Sequence, residues 1–136
     1  MLKWFCLGLL GFFSPKDTVD LAVHVSGFSS NSGQAYVAIF NKSEDFPNYG
    51  NQYRGKIVHI KDKQCKISFS QLTPGSYAVA VYHDQNLNNQ LDKNILGIPT
   101  ESYGFSNNAR GTFSAPSFSE AKVQCLKNKT THIVVK

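Results

Sequence analysis

The stretch 18–26, TVDLAVHVS, puts Val19, Leu21, Val23 and Val25 on one phase and Asp20, Ala22 and His24 on the other. A period of two predicts a strand with one face in a core. The stretches 34–41 (QAYVAIFN) and 76–83 (SYAVAVYH) are apolar on both phases, which predicts two central strands. Residues 54–61 (RGKIVHIK) and 64–70 (QCKISFS) read as two more strands joined by a tight turn at 61–63, with Cys65, Ile67 and Phe69 sharing one face. Residues 120–127 (EAKVQCLK) alternate, with Ala121, Val123 and Cys125 inward, and 130–136 (TTHIVVK) form a last strand after a turn at Asn128. Turns are expected at GFSSNSG (27–33) and at LTPG (72–75), where proline presets φ and the following glycine accepts a positive φ. The polar segment 42–52 holds a proline and a glycine, and a short helical turn is expected from Ser43. About seven short strands and no long helix predict an all-β fold: an antiparallel β-sandwich of immunoglobulin or transthyretin type, with its loops clustered at the two ends.

One segment is too long and too rich in Asp and Asn for an ordinary hairpin: 82–108, YHDQNLNNQLDKNILGIPTESYGFSNN. It follows a central strand, so whatever it does is done from a rigid base.

Composition narrows the class. The 136 residues are 41% hydrophobic and 17% charged, with ten Phe and six Tyr, which suits one folded β domain. The net charge of +5 is spread along the chain without a run of five or more Lys and Arg, so no nucleic-acid partner is expected. The N-terminus, MLKWFCLGLLGFFS, has a basic start and an apolar run from Trp4 to Phe13. That run is shorter than the ~20 residues a membrane span needs, so residues 1–15 read as a signal peptide cut near Ser14–Lys16 and residues 16–136 as a single β-sandwich domain. The mature protein is then periplasmic or secreted, with no stable membrane span. Cys6 follows Lys3, Trp4 and Phe5 rather than the small residues that precede a lipid-attachment cysteine, and belongs to the discarded signal. Cys65 and Cys125 remain. An even count in an oxidising compartment fits a disulfide between them; the alternative is two separate buried thiols.

Residues 74–121 carry a resemblance. PGSYAVAVYHDQNLNNQLDKNILGIPTESYGFSNNARG, running into APSFSEAKV, is similar to the bacterial exported family called domain of unknown function 2141. Its pattern runs P-G-x-Y-A, then H-D-x-N-x-N-G-x-L-D-x-N-x-x-G-x-P-x-E-G-Y-G-F-S-N-N and P-x-F-x-x-A. The resemblance implies an exported β-sandwich and no established activity. Asn89 and Ser102 stand where the family usually has glycine. Asn tolerates left-handed backbone best among the other residues, so Asn89 should keep the loop geometry, whereas Ser102 implies a local change near Glu101.

The long loop also carries candidate chemistry. Asp84, Asn86, Asn88 and Asp92 fall at relative positions 1, 3, 5 and 9, the ligand spacing of a calcium loop, with Gln90 offering a backbone carbonyl at position 7. Position 12 is Ile95 rather than a bidentate Glu, and Glu101 is the candidate that folds back to supply a further carboxylate. Calcium is thus a candidate ligand of weak affinity. The competing explanation is that these side chains hydrogen-bond their own loop as Asx-turns.

His83 ends the strand directly before Asp84, as a metal or acid–base candidate or as a structural hydrogen-bonder of the loop. His24, His59 and His132 would have to converge to form a zinc site. Ser102 and Ser106 lie near His83 without a nucleophile elbow, and Gly97, Gly104 and Gly111 do not form a phosphate loop. Tyr103, Phe105, Ser106, Asn107 and Asn108 form an aromatic–polar segment that either binds a carbohydrate or peptide or folds down to plug the sandwich.

These features point to a non-enzymatic binding or structural module whose loop from His83 to Asn108 is its distinctive surface. Two alternatives stand beside it: a small exported enzyme using His83, Asp84 and Glu101, and an accessory domain that docks a protein or glycan partner at the cell envelope.

Overall fold

A computed structural model describes residues 17–96, 99–111 and 114–136. The candidate signal peptide and Cys6 lie outside the described residues. Eight strands form two facing sheets: β1 (Val19–Ser26), β2 (Gln34–Phe40), β3 (Arg54–Val58), β4 (Gln64–Leu72), β5 (Gly75–Asp84), β6 (Tyr103–Phe105), β7 (Val123–Cys125) and β8 (Lys129–Val134). One sheet has the order β4-β1-β8 and the other β3-β2-β5-β6, with β7 also on β5. The architecture is the expected sandwich. Every pair among the described strands is antiparallel except β1 with β8, which run parallel. The chain crosses from one sheet to the other between β7 and β8, and Asn128 fixes the crossing by accepting the Asp20 N–H at 2.9 Å.

The alternation in β1 holds, with Val19, Leu21, Val23 and Val25 buried. They meet Val37, Ile39, Val79, Val81, Phe69 and Ile133 in the core between the sheets. Phe69 and Leu72 are three apart yet both face inward. One extra residue in β4 between the pairs Leu21–Phe69 and Val19–Leu72 makes this possible, and Gln71 takes a φ of 58° there.

Strands β3 and β4 do not pair as the sequence suggests. They part into different sheets after a turn in which Asp62 and Lys63 both have positive φ. Side chains of β3 close this side of the sandwich instead: Arg54 donates to the Ser70 carbonyl at 2.6 Å and to the Gln71 carbonyl at 3.3 Å, and Lys56 to the Ser68 carbonyl at 2.9 Å. An open edge is thereby blunted. On the opposite side Tyr103 and Lys136 exchange both backbone hydrogen bonds at 3.1 Å, which joins β6 to the end of β8. Gly104 allows this approach, because a Cβ there would lie 3.0 Å from the Ile133 side chain and 3.1 Å from the Val134 carbonyl.

The expected strand from Glu120 is shorter than its alternation suggests. Residues Phe118–Ala121 form a helical turn, α1, capped at both of its first donors: Glu120 N–H on the Ser117 hydroxyl at 3.2 Å and Ser117 N–H on the Glu120 carboxylate at 3.1 Å. The capping box S-F-S-E outweighs the period of two, and the strand begins only at Val123.

The cysteines are two free, buried thiols, not the expected disulfide. Cys65 pairs with Val25 on β1, whereas the Cys125 thiol contacts the Asp20 carbonyl. Those positions lie five residues apart along β1, about 17 Å, whereas a disulfide needs Cα atoms within about 7 Å. Burial pushes the Cys65 thiol up to about 11.

Strands β6 and β7 share one edge of β5, end to end, with residues 80–82 paired to β6 and 75–77 to β7. Ser106 fills the break. Its buried hydroxyl accepts the Val79 N–H at 2.9 Å and donates to the Ala121 carbonyl. Ser106→Ala should therefore lower unfolding free energy by about 1–3 kcal/mol, the cost of leaving buried backbone groups unpaired. Denaturant titration of this variant against the exposed control Ser114→Ala measures it, and equal midpoints would remove Ser106 from the framework.

Candidate functional site

The end of β5 and the loop that follows it form a self-stapled unit. Asp84 is fully buried. One of its oxygens accepts the Asn88 N–H at 3.1 Å, and the other accepts the Asn89 N–H at 2.7 Å and the Gln34 amide at 3.5 Å. Glu101 is 7% exposed and works the same way from the far end of the loop. Its two oxygens accept the Gln85 N–H at 2.7 Å and the Asp92 N–H at 2.9 Å. A buried carboxylate is tolerated when N–H donors surround it. Leu87 and Asn89 take φ of 59° and 61°, so Asn89 holds the left-handed position expected of it. Ser102 stays outside that region, and its carbonyl accepts the His83 N–H at 2.8 Å.

Further out, the Asn86 and Asn88 amides both meet the Asp92 carboxylate, at 2.5 and 2.6 Å. Gln90 is exposed and its N–H goes to the Asn88 side chain at 3.0 Å. The candidate calcium ligands therefore fall into two sets. Asp84 and Glu101 point at loop backbone, while Asn86, Asn88 and Asp92 converge on one another. Among the described residues no group of three or more His, Cys, Asp and Glu side chains is placed to hold a metal.

His83 is fully buried. Its Nε2 lies 2.7 Å from the Ser32 carbonyl, so Nε2 carries the proton and donates. Its ring packs edge-on against Phe28 at 5.2 Å, and Nδ1 has no partner. The glycine next to Ser32 is required: Gly33 has φ of 70°, and a Cβ would lie 2.2 Å from the Asp84 carbonyl. His83, Asp84 and Glu101 thus hold the loop base together and none of them opens to solvent. Of the other histidines, His24 and His132 meet edge-on at 5.0 Å on the outer face of the β4-β1-β8 sheet. Burial, with Lys66 and His132 adding to it, holds His24 below its ordinary pKa. His59 is exposed elsewhere.

Within the SNN segment, Asn107 donates to the Glu120 and Lys122 carbonyls at 3.1 and 2.9 Å, and Asn108 accepts the Val134 N–H at 2.9 Å. Both side chains tie the segment to its neighbours, α1 and β8.

A second feature lies on the outer face of the β3-β2-β5-β6 sheet. Outward residues Tyr36, Tyr82 and Tyr103 are cross-strand neighbours, forming one row across β2, β5 and β6. The next row holds Gly55, Ala38, Ala80 and Phe105. Beyond it, Phe40, Phe46, Phe105 and Phe118 pack in a cluster that covers that end of the face. The tyrosine end is left as an open cleft of about 930 Å³. Its walls come from three loops: Pro47, Tyr49 and Gln52; Leu91, Leu96 and Pro99; Arg110 and Pro116. Arg110 lies over the Tyr103 ring at 5.0 Å and donates to the Tyr103 carbonyl at 3.1 Å. Burial pushes the Tyr36 and Tyr82 hydroxyls up, so both stay neutral donors. Tyr103 and Phe105 both line the cleft, and Phe105 is also packed against Phe46 at 5.7 Å.

Tyr36 and Tyr82 escape sequence reasoning. Their signal was present, as apolar residues on the second face of both central strands, but their alignment depends on the β2–β5 register.

The family model for an uncharacterized protein conserved in bacteria, DUF2141, matches residues 23–134. No curated protein and no solved structure matches the chain.

Asp84→Ala should release the loop while sparing the sandwich. The amides of Asn88 and Asn89 should exchange with deuterium at least tenfold faster, about 1.4 kcal/mol of lost protection, with the Val23 and Val79 amides unchanged. Unaltered exchange at Asn88 and Asn89 would show that Asp84 does not order the loop.

Proposed function

The chain belongs to the bacterial DUF2141 family, and within it we propose a non-enzymatic binding module that receives an apolar-bodied small molecule in the tyrosine cleft. The observation that carries this is the cleft itself: about 930 Å³, floored by Tyr36, Ala38, Ala80, Tyr82 and Tyr103 and walled by three loops. Ligand sites are concave, mostly apolar and about 300–1,000 Å³. The long loop serves as one wall, ordered by Asp84 and Glu101. Catalysis by His83, Asp84 and Glu101 finds no support in a set of side chains that are 0%, 0% and 7% exposed and absent from the cleft lining. With residues 1–15 as an export signal, the module acts in the periplasm or outside the cell. No helix among the described residues is long and apolar enough to cross a membrane.

Titration calorimetry of the full chain with ten-carbon chains, as alcohol and as carboxylate, tests this. Saturable binding is expected, and it should disappear in Ala80→Trp, which fills the floor, but persist in Lys66→Ala on the other sheet. No saturable binding of either compound would end the cleft proposal.

A second reading keeps calcium at the loop tip. It rests on the convergence of Asn86 and Asn88 on Asp92. Turning both amides about brings two carbonyl oxygens beside the carboxylate, the oxygen type a hard cation takes. One carboxylate is few for calcium, so the expected affinity is about 10⁻⁴–10⁻³ M. Ligand binding to the folded state raises stability by RT ln(1 + [L]/Kd). A melting temperature higher in ~10 mM calcium than in chelator, with the difference lost in Asp92→Asn, supports this reading. Identical melting in both excludes it.

A further inference from the structure

The charge of the cleft is one-sided. Among the described residues that line it, the charged ones are Lys93 and Arg110, both cations; the Asp84 and Glu101 carboxylates act on Tyr82 from outside the lining and are held by loop N–H groups. Arg110 is held in place by two contacts, one through its charge to the Tyr103 ring and one through Nη2 to the Tyr103 carbonyl. A guanidinium has five N–H donors in a fixed fork, and the carbonyl takes one. A fork pinned by stacking and left with free donors suits bidentate capture of a planar anion. The floor has the opposite character. Ala80 is half-buried beside the tyrosine row and is the low, apolar point of the floor, while its neighbour Ala38 is buried with Phe40 and Phe46.

We propose that the ligand of this cleft is a free amphiphile, an apolar chain or ring body bearing one carboxylate, with the body against Ala80 and the tyrosine row and the carboxylate on Arg110 and Lys93. This rests on the cleft being the binding site. A cationic amphiphile would meet two like charges. The net charge of +5 favours approach of an anion over a cation.

The test compares decanoate, 1-decanol and decyltrimethylammonium below their aggregation concentrations, by calorimetry on the full chain. Decanoate should bind about tenfold or more tightly than decanol, as a charge-assisted bidentate contact requires, and the ammonium compound more weakly than either. Arg110→Gln should remove the preference, so that decanoate and decanol bind the variant alike; Lys93→Gln should narrow the difference in part. Equal binding of decanoate and decanol, or unaltered decanoate binding in both variants, overturns the carboxylate assignment and leaves the cleft as an apolar site. Failure of all three compounds to bind overturns the cleft as well.

Discussion

Strands β2 and β5 are apolar on both faces, and a sheet with two apolar faces needs two covers. The β4-β1-β8 sheet supplies the inner one. Nothing regular supplies the outer one, so the described residues of three irregular segments fold across it: 41–53, 85–96 with 99–102 after β5, and 109–111 with 114–117 before α1. Phe46 and Phe118 complete the cover at one end, over Phe40 and Phe105. At the other end the segments stand apart and the tyrosine row lies at the bottom of a cleft. The cleft is thus a consequence of incomplete cover, and its aromatic floor is the part of the sheet that the loops border without filling, with Tyr49 packed against Tyr36 at its rim.

Irregular segments that pack on a core bring backbone donors and acceptors out of water, and each has to find a partner. This protein meets that demand with short polar side chains at fixed places. Asp84 and Glu101 each take two loop N–H groups. Ser106 takes the place of ladder bonds where β6 ends and β7 begins, and Asn107 and Asn108 tie the same segment to α1 and β8. Asp84, Glu101 and Ser106 thus each satisfy backbone groups of the fold. His83 is of the same kind, since its ring joins the β1–β2 turn to the end of β5.

The same economy explains the edges. The two sheets are closed against each other on one side by the Arg54 and Lys56 side chains and on the other by backbone exchange between Tyr103 and Lys136.

The sequence by itself determined most of the strands, because the alternation of residues 18–26 and the apolar runs 34–41 and 76–83 are local properties, whereas the short β6 carries neither. It also determined that Asn89 takes a left-handed turn and that the loop after β5 is special, since the relevant residues are neighbours in the chain. The capping box at Ser117–Glu120 was equally local and equally legible, although alternation obscured it. Tertiary structure decided the rest. Whether β3 and β4 form a hairpin, whether β8 runs parallel to β1, whether Cys65 reaches Cys125, and whether Tyr36, Tyr82 and Tyr103 stand in one row all depend on how separate segments meet in the fold. Pairing energies of that kind leave no periodic trace in any one segment. The loop chemistry was ambiguous for a related reason: an Asp followed by spaced Asn residues satisfies either a cation or its own backbone, and only the burial of Asp84 and Glu101 among N–H groups shows which partner each of them takes in the fold.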